Sequence, residues 1–175
     1  MIDPFDTDNT PVFKFAVCRD LDDSFLPTKA EALATGWDVR AAWKDALPKT
    51  LKINQAVKIP LGIRCFAPAG WWLELKPRSS TFGKKNLHCL IGTIDESYSG
   101  ELLLAVQYFP APEDADKTAL DRKELVIDFG EALGQLIPVE RQEMKVVRIT
   151  EEELDALVAE RKDTRGSGGF GSTGK

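Results

Sequence analysis

Seven short stretches of this chain either alternate apolar and polar residues or run apolar for six to ten positions. They are VFKFAV (12–17), VKIPLGIRCF (57–66), WWLELK (71–76), ELLLAVQYF (101–109), ELVIDF (124–129), ALGQLIPV (132–139) and EMKVVRI (143–149). Pro, Gly, Asp or Asn punctuates most of the gaps, as in the Pro68–Gly70 turn. Segments of this length with turn residues between them predict an all-β domain, a sandwich, barrel or jelly roll. ELLLAVQYF is apolar enough to predict a strand buried on both faces.

Two segments break the pattern. In ITEEELDALVAERKDT (149–164), Thr150 stands three residues before Glu153, a capping box, and Leu154, Leu157 and Val158 share one helical face. The spacing predicts a short C-terminal helix. PAPEDADKTALDRKE (110–124) is polar, charged and holds two prolines, so it reads as a surface excursion from the sheet and a candidate element for a protein partner. At 175 residues the chain is expected to form one domain over 1–164, followed by a glycine-rich tail over 165–175.

Bulk chemistry narrows the function. A net charge of −5 gives no general basic surface for nucleic acid. No apolar run approaches the roughly 18–20 residues of a membrane span. Cys18, Cys65 and Cys89 are scattered and odd in number, which fits free thiols in a reducing cytoplasm. With one histidine, His88, and no paired cysteines, a zinc site has too few ligands. His88 is expected to be a half-buried strand residue, and no serine sits in a nucleophile elbow.

The tail RGSGGFGSTGK (165–175) contains five glycines and two misleading patterns. Gly166, Gly168 and Gly171 spell a dinucleotide fingerprint, and Gly169, Gly174 and Lys175 most of a phosphate-binding loop. Both motifs require a strand before the loop and a helix after it, and neither is present. What the tail does offer is an aromatic ring, Phe170, to stack on a planar group, and Arg165 to meet an anion.

Three internal stretches place polar groups at tight turns, where β scaffolds carry their sites. ATGWDVRAA (34–42) presents Asp38. KPRSSTFGKKN (76–86), read as a polar loop, presents the Arg78 fork, the Ser79 and Ser80 hydroxyls, and the charges of Lys84 and Lys85. GTIDESYSGEL (92–102) reads as a hairpin, with backbone groups for a flat base, Tyr98 for a sugar, and Asp95 to take a proton from water.

In this order TGWDVRAA, PRSS, GTIDESYSGEL, GEALGQLIPV (130–139) and RGSGGFGSTGK resemble the five motifs of the trimeric dUTPase family. Trp37 stands where the family usually has Tyr, Ser99 where Arg or Gln is common, and Glu131–Gly134 replaces an Arg-containing run. The resemblance implies a dUTPase-like jelly roll, a homotrimer with active sites shared among chains, and a mobile tail that closes over nucleotide. It also implies hydrolysis of dUTP to dUMP and pyrophosphate in the cytoplasm of a bacterium or virus-infected cell, keeping uracil out of DNA. Asp95 would activate the water; Arg78 and Ser79 would hold phosphates, supported by Ser80 and Gln135. Uracil would be read by backbone at Gly92, Thr93, Ile94 and Leu103, and deoxyribose would pack on Tyr98. Arg165, Gly169, Phe170, Gly171 and Ser172 would close the lid, and Asp38 would support the phosphate cluster. Mg²⁺ would be carried by phosphates and water, with no direct protein ligand. Two alternatives are a nucleotide-gated regulator acting through 110–124 and dCTP deaminase; Ala105 stands where the deaminase has its glutamate.

Overall fold

The computed structural model describes residues 10–109 and 124–161. The tail 165–175 and all of the 110–124 excursion except Glu124 lie outside them. The chain up to Arg141 forms one unit, and the residues from Gln142 onward form another. The first unit contains β1 (Lys14–Val17), a 3-10 turn (Asp23–Phe25), β2 (Trp37–Arg40), β3 (Lys49–Lys52), β4 (Ala56–Phe66) and β5 (Trp71–Pro77). It continues with α1 (Ser79–Lys85), β6 (Leu87–Cys89), β7 (Gly92–Ile94), β8 (Glu101–Tyr108), β9 (Glu124–Ile127) and β10 (Ala132–Glu140).

Two four-stranded sheets, in the orders β1-β4-β8-β6 and β2-β10-β5-β7, are joined by the two-stranded pair β3-β9. Every pairing is antiparallel. One core takes side chains from all three: Ile59, Leu61, Ile63, Leu102 and Leu104 from the first sheet, Val39, Leu73, Leu75 and Leu136 from the second, and Leu51 and Ile127 from the pair. This is the all-β, jelly-roll class that the strand pattern and the resemblance predict. Leu104 is completely buried and pairs with Ile59. Leu104→Ala is therefore expected to lower unfolding free energy by about 2–5 kcal/mol, the range for a truncated core leucine, measured by urea titration.

Some expectations change. β8 is buried on one face only: Leu102, Leu104, Val106 and Tyr108 point inward, while Leu103 is exposed. Its other face carries Glu101, Ala105 and Gln107, which are only partly buried, so the length of the apolar run overstated its burial. The polar stretch after β5 is a helix, α1, whose Thr81 hydroxyl donates to the Leu133 carbonyl (2.6 Å). Asn86 ends it in the left-handed conformation, and its N–H returns to the Phe82 carbonyl (2.9 Å). β3 has a single buried apolar residue, Leu51, too weak a signal to read from sequence.

EMKVVRI does not form a strand. A strand needs a neighbouring backbone to take its hydrogen bonds, and none of the described strands pairs with it. Its Met144, Val146, Val147 and Ile149 are exposed. The helix that follows, α2 (Glu151–Arg161), starts where the capping box places it. The Thr150 N–H donates to Glu153 Oε2 (2.7 Å) and the Glu153 N–H to Thr150 Oγ1 (3.2 Å). Among the described residues no helix is long and apolar enough to cross a membrane.

Candidate active site

The first polar corner is built where β2, β10 and β5 run side by side. Antiparallel register sets Asp38 opposite Gln135, and Gln135 opposite Lys76. The Gln135 amide donates to the Pro77 carbonyl (3.1 Å). Its oxygen lies so close to Gly36 that a Cβ there would sit 2.2 Å from it. Arg78 leaves β5 with its N–H on the Leu133 carbonyl (3.0 Å), and its Nε meets Asp38 Oδ1 at 3.2 Å. Asp38 thus orients the guanidinium, leaving other N–H groups of the fork for an anion. A cavity of about 250 Å³ opens here, lined by Arg78, Ser80, Lys84, Lys85 and Glu131 among others. Glu131, in the segment that departs from the family pattern, is paired with Lys85 (2.7 Å). Ser79 is the exposed first residue of α1.

The second feature is the turn from Asp95 to Gly100. It is not the connection of a paired hairpin: β7 belongs to the second sheet and β8 to the first. The two strands part at the turn, and β7 pairs with β5 alone. The Leu90 N–H reaches the Ala105 carbonyl (3.0 Å), and the Tyr98 hydroxyl reaches the Glu101 carbonyl (2.9 Å). Because backbone direction alternates along a strand, both contacts mean that the odd residues of β8 aim their N–H and C=O toward this opening. Leu103 stands between them. The structure therefore supplies backbone groups for a flat ring by diverging strands, where the sequence suggested a paired hairpin.

The turn is braced at several points. The Tyr98 N–H closes it on the Asp95 carbonyl (3.0 Å), and the Arg64 Nε donates to the Ser99 carbonyl (2.6 Å). Gly100 has no room for a side chain, since a Cβ would lie 2.5 Å from the Tyr98 hydroxyl. The Glu101 carboxylate accepts from the Gly62 N–H (3.1 Å) and pairs with Arg19. Among the described residues no group donates to the Asp95 carboxylate, which is exposed. A carboxylate with open lone pairs on a fixed turn can accept a proton from water.

The predicted site residues fall into three separate depressions. Arg78 and Ser80 line the small corner cavity. Asp95 and Thr93 line a cavity of about 630 Å³ with Phe66, Trp72, Glu96 and Arg141. Tyr98 and Leu103 line a third, of about 620 Å³, with Trp43, Lys44 and Lys58. The chain brings Asp38, Arg78 and Gln135 together but does not bring Asp95 to them in one cavity. Gly92 and Ile94 lie on β7 beside Leu75 and Leu73. Arg165, Gly169, Phe170, Gly171 and Ser172 lie outside the described residues.

His88 is on β6 as expected but exposed, its ring edge-on between Phe82 and Phe109. It lines none of the three cavities. Burial pushes the Cys65 and Cys89 thiols up to about 11, so both are protonated at neutral pH and unsuited to nucleophilic attack. Among the described residues no group of three or more His, Cys, Asp or Glu could hold a metal ion. Sequence reasoning missed Gly36, Thr81, Glu96 and Arg141, whose roles depend on partners 26 to 99 positions away.

Fold and site together define an all-β domain with a cationic corner and a carboxylate on a braced turn, an arrangement open to an anionic ligand. No family model matches the chain. It is 31% identical over 151 residues to the deoxyuridine 5'-triphosphate nucleotidohydrolase of Rhizobium johnstonii, covering 85% of each chain. It is 30% identical to that of Rhizobium rhizogenes over 174 residues, covering 96% of this chain and 97% of that one. Among solved structures, the dUTPase from phage phi11 of S. aureus matches with a TM-score of 0.65 at 17% identity, over 80% of this chain and 97% of that one. The Staphylococcus bacteriophage 80alpha dUTPase with dUPNHPP matches with the same score at 21% identity, over 95% and 100%. The chain belongs to the deoxyuridine 5'-triphosphate nucleotidohydrolase family.

Proposed function

We propose that this protein hydrolyses dUTP to dUMP and pyrophosphate, with Asp95 as the group that activates water. The observation that carries the assignment of Asp95 is its open carboxylate at the head of a turn held on both sides, the turn through which β7 and β8 diverge. Water attacks the α-phosphorus and passes its proton to Asp95. The bond from that phosphorus to the bridging oxygen breaks, and pyrophosphate leaves. Arg78, set by Asp38, and Ser79 hold the phosphates, supported by Ser80 and Gln135. Uracil lies against backbone of Gly92, Thr93, Ile94 and Leu103, and Tyr98 packs on deoxyribose where a 2′-hydroxyl would crowd it. Arg165, Gly169, Phe170, Gly171 and Ser172 cover the bound nucleotide. The chemistry is positioning and charge stabilisation throughout.

The separation of Arg78 from Asp95 supports a shared site, in which one chain's cationic corner faces another chain's Asp95 turn within a homotrimer. The donor set fits a nucleotide-borne Mg²⁺. Such an ion keeps several waters and needs few protein ligands, and Asp38 is the carboxylate paired with the phosphate-binding Arg78. When bound, the ion would neutralise charge on the phosphates. We place the enzyme in the cytoplasm, with residues 1–164 as the β domain, 165–175 as the lid and 110–124 as a surface element open to a protein partner.

The test is pyrophosphate release from dUTP, dCTP, dTTP and UTP, each with Mg²⁺ and with EDTA. Turnover is expected with dUTP alone and is lost in EDTA. Release from dCTP with ammonia would favour the deaminase reading, and no release from any of the four the regulator.

A further inference from the structure

Beside Asp95, three segments meet in a closed ring of hydrogen bonds. Glu96 Oε2 accepts from the Gly70 N–H (2.9 Å) and from Arg141 Nη1 (2.7 Å). The Arg141 N–H in turn donates to the Gly70 carbonyl (2.7 Å). Gly70 is the positive-φ residue (φ 81°) of the turn between β4 and β5, a conformation that favours glycine. Arg141 is the last residue of the β unit, directly after β10. Glu96, Arg141 and Asp95 all line the same cavity.

We infer that Glu96 and Arg141 are positioning residues for Asp95: the ring pins the residue next to it to two other segments and so fixes where its carboxylate points. The inference rests on the reading of Asp95 given above. Bonds to backbone set the position of a turn more sharply than contacts between flexible side chains. Here Glu96 is tied to the Gly70 amide, and Arg141 to the Gly70 carbonyl. The Arg141 side chain is 54% exposed and that of Glu96 32%, so the ion pair adds little to overall stability. Its effect should appear in turnover, since a reacting group displaced by about 1 Å costs on the order of a hundredfold in rate.

The test compares Glu96→Ala, Arg141→Met, Asp95→Asn and Asp95→Asn/Glu96→Ala in the full chain. Each is measured for kcat, for affinity toward the non-hydrolysable α,β-imido analogue of dUTP, and for Tm. Glu96→Ala is expected to lower kcat roughly ten- to a hundredfold, and Arg141→Met by a smaller factor, with analogue affinity within twofold and Tm nearly unchanged. In the Asp95→Asn background the Glu96 substitution should have no further effect, because it acts through Asp95. Glu96→Gln, which keeps an oxygen for the Gly70 N–H, should recover most of the loss. Wild-type kcat in Glu96→Ala, an equal loss of affinity, or a loss that persists in the Asp95→Asn background would overturn the inference. Near-normal turnover in Asp95→Asn alone would instead remove the reading on which it rests.

Discussion

Asp95→Asn is expected to bind dUTP with nearly unchanged affinity and to hydrolyse it about a thousandfold more slowly, within the usual range for loss of a general base. In transition-state terms that is roughly 4 kcal/mol. The amide has the shape of the carboxylate and keeps one acceptor oxygen, but it cannot take the proton of the attacking water. Affinity should hold because the other contacts assigned to nucleotide come from Arg78, Ser79, Tyr98 and the Leu103 backbone. Fold should hold as well, since among the described residues nothing donates to the Asp95 side chain. Single-turnover hydrolysis of radiolabelled dUTP, alongside analogue titration, checks both halves. A kcat within tenfold of wild type would reject Asp95 as the base.

Deleting residues 165–175 is expected to reduce kcat/KM for dUTP at least a hundredfold while leaving Tm and the number of subunits unchanged. The buried core of the described residues runs from Phe25 to Leu136. The segment carries Arg165 and Phe170 among five glycines, chemistry suited to an anion and a planar ring but not to a hydrophobic core. Shielding the reaction from water and completing the phosphate contacts are the contributions that would be lost. Steady-state kinetics, light scattering and thermal unfolding on the truncated chain separate the cases. A truncated protein that dissociates or unfolds would assign the tail to assembly.

Elements whose signal is local were legible from the chain itself. Period-two patterning found β4, β5 and β10, whose inward residues Leu61, Leu75 and Leu136 make the core. The capping box found the start of α2 because both of its bonds are made within four residues. What escaped reading depends on distant partners. α1 has no apolar face of its own and is tied down by Thr81 to Leu133, 52 positions away. EMKVVRI has a strand's alternation without a strand's neighbour. β7 and β8 are adjacent in sequence, which suggested that they pair, yet each takes its partners from a different sheet. The same holds for the site. Five motifs in order nominated the residues proposed for it. That Glu96 would be held by Arg141, or that Asp38 would orient Arg78, follows only from the order of β2, β10, β5 and β7 in their sheet.

The contact between Gly36 and Gln135 constrains how this sequence can change over generations. Any side chain at 36 would run into the Gln135 oxygen at 2.2 Å, and the Gln135 Cβ and Cδ stand only 3.0 Å away. The amide could swing aside only by giving up its bond to Pro77. Exchanging the glycine first would cost the Gln135 amide its bond to Pro77, whereas a shorter residue at 135 would open the room that a later change at 36 requires. The two positions, 99 apart in the gene product, are therefore coupled in what each can accept.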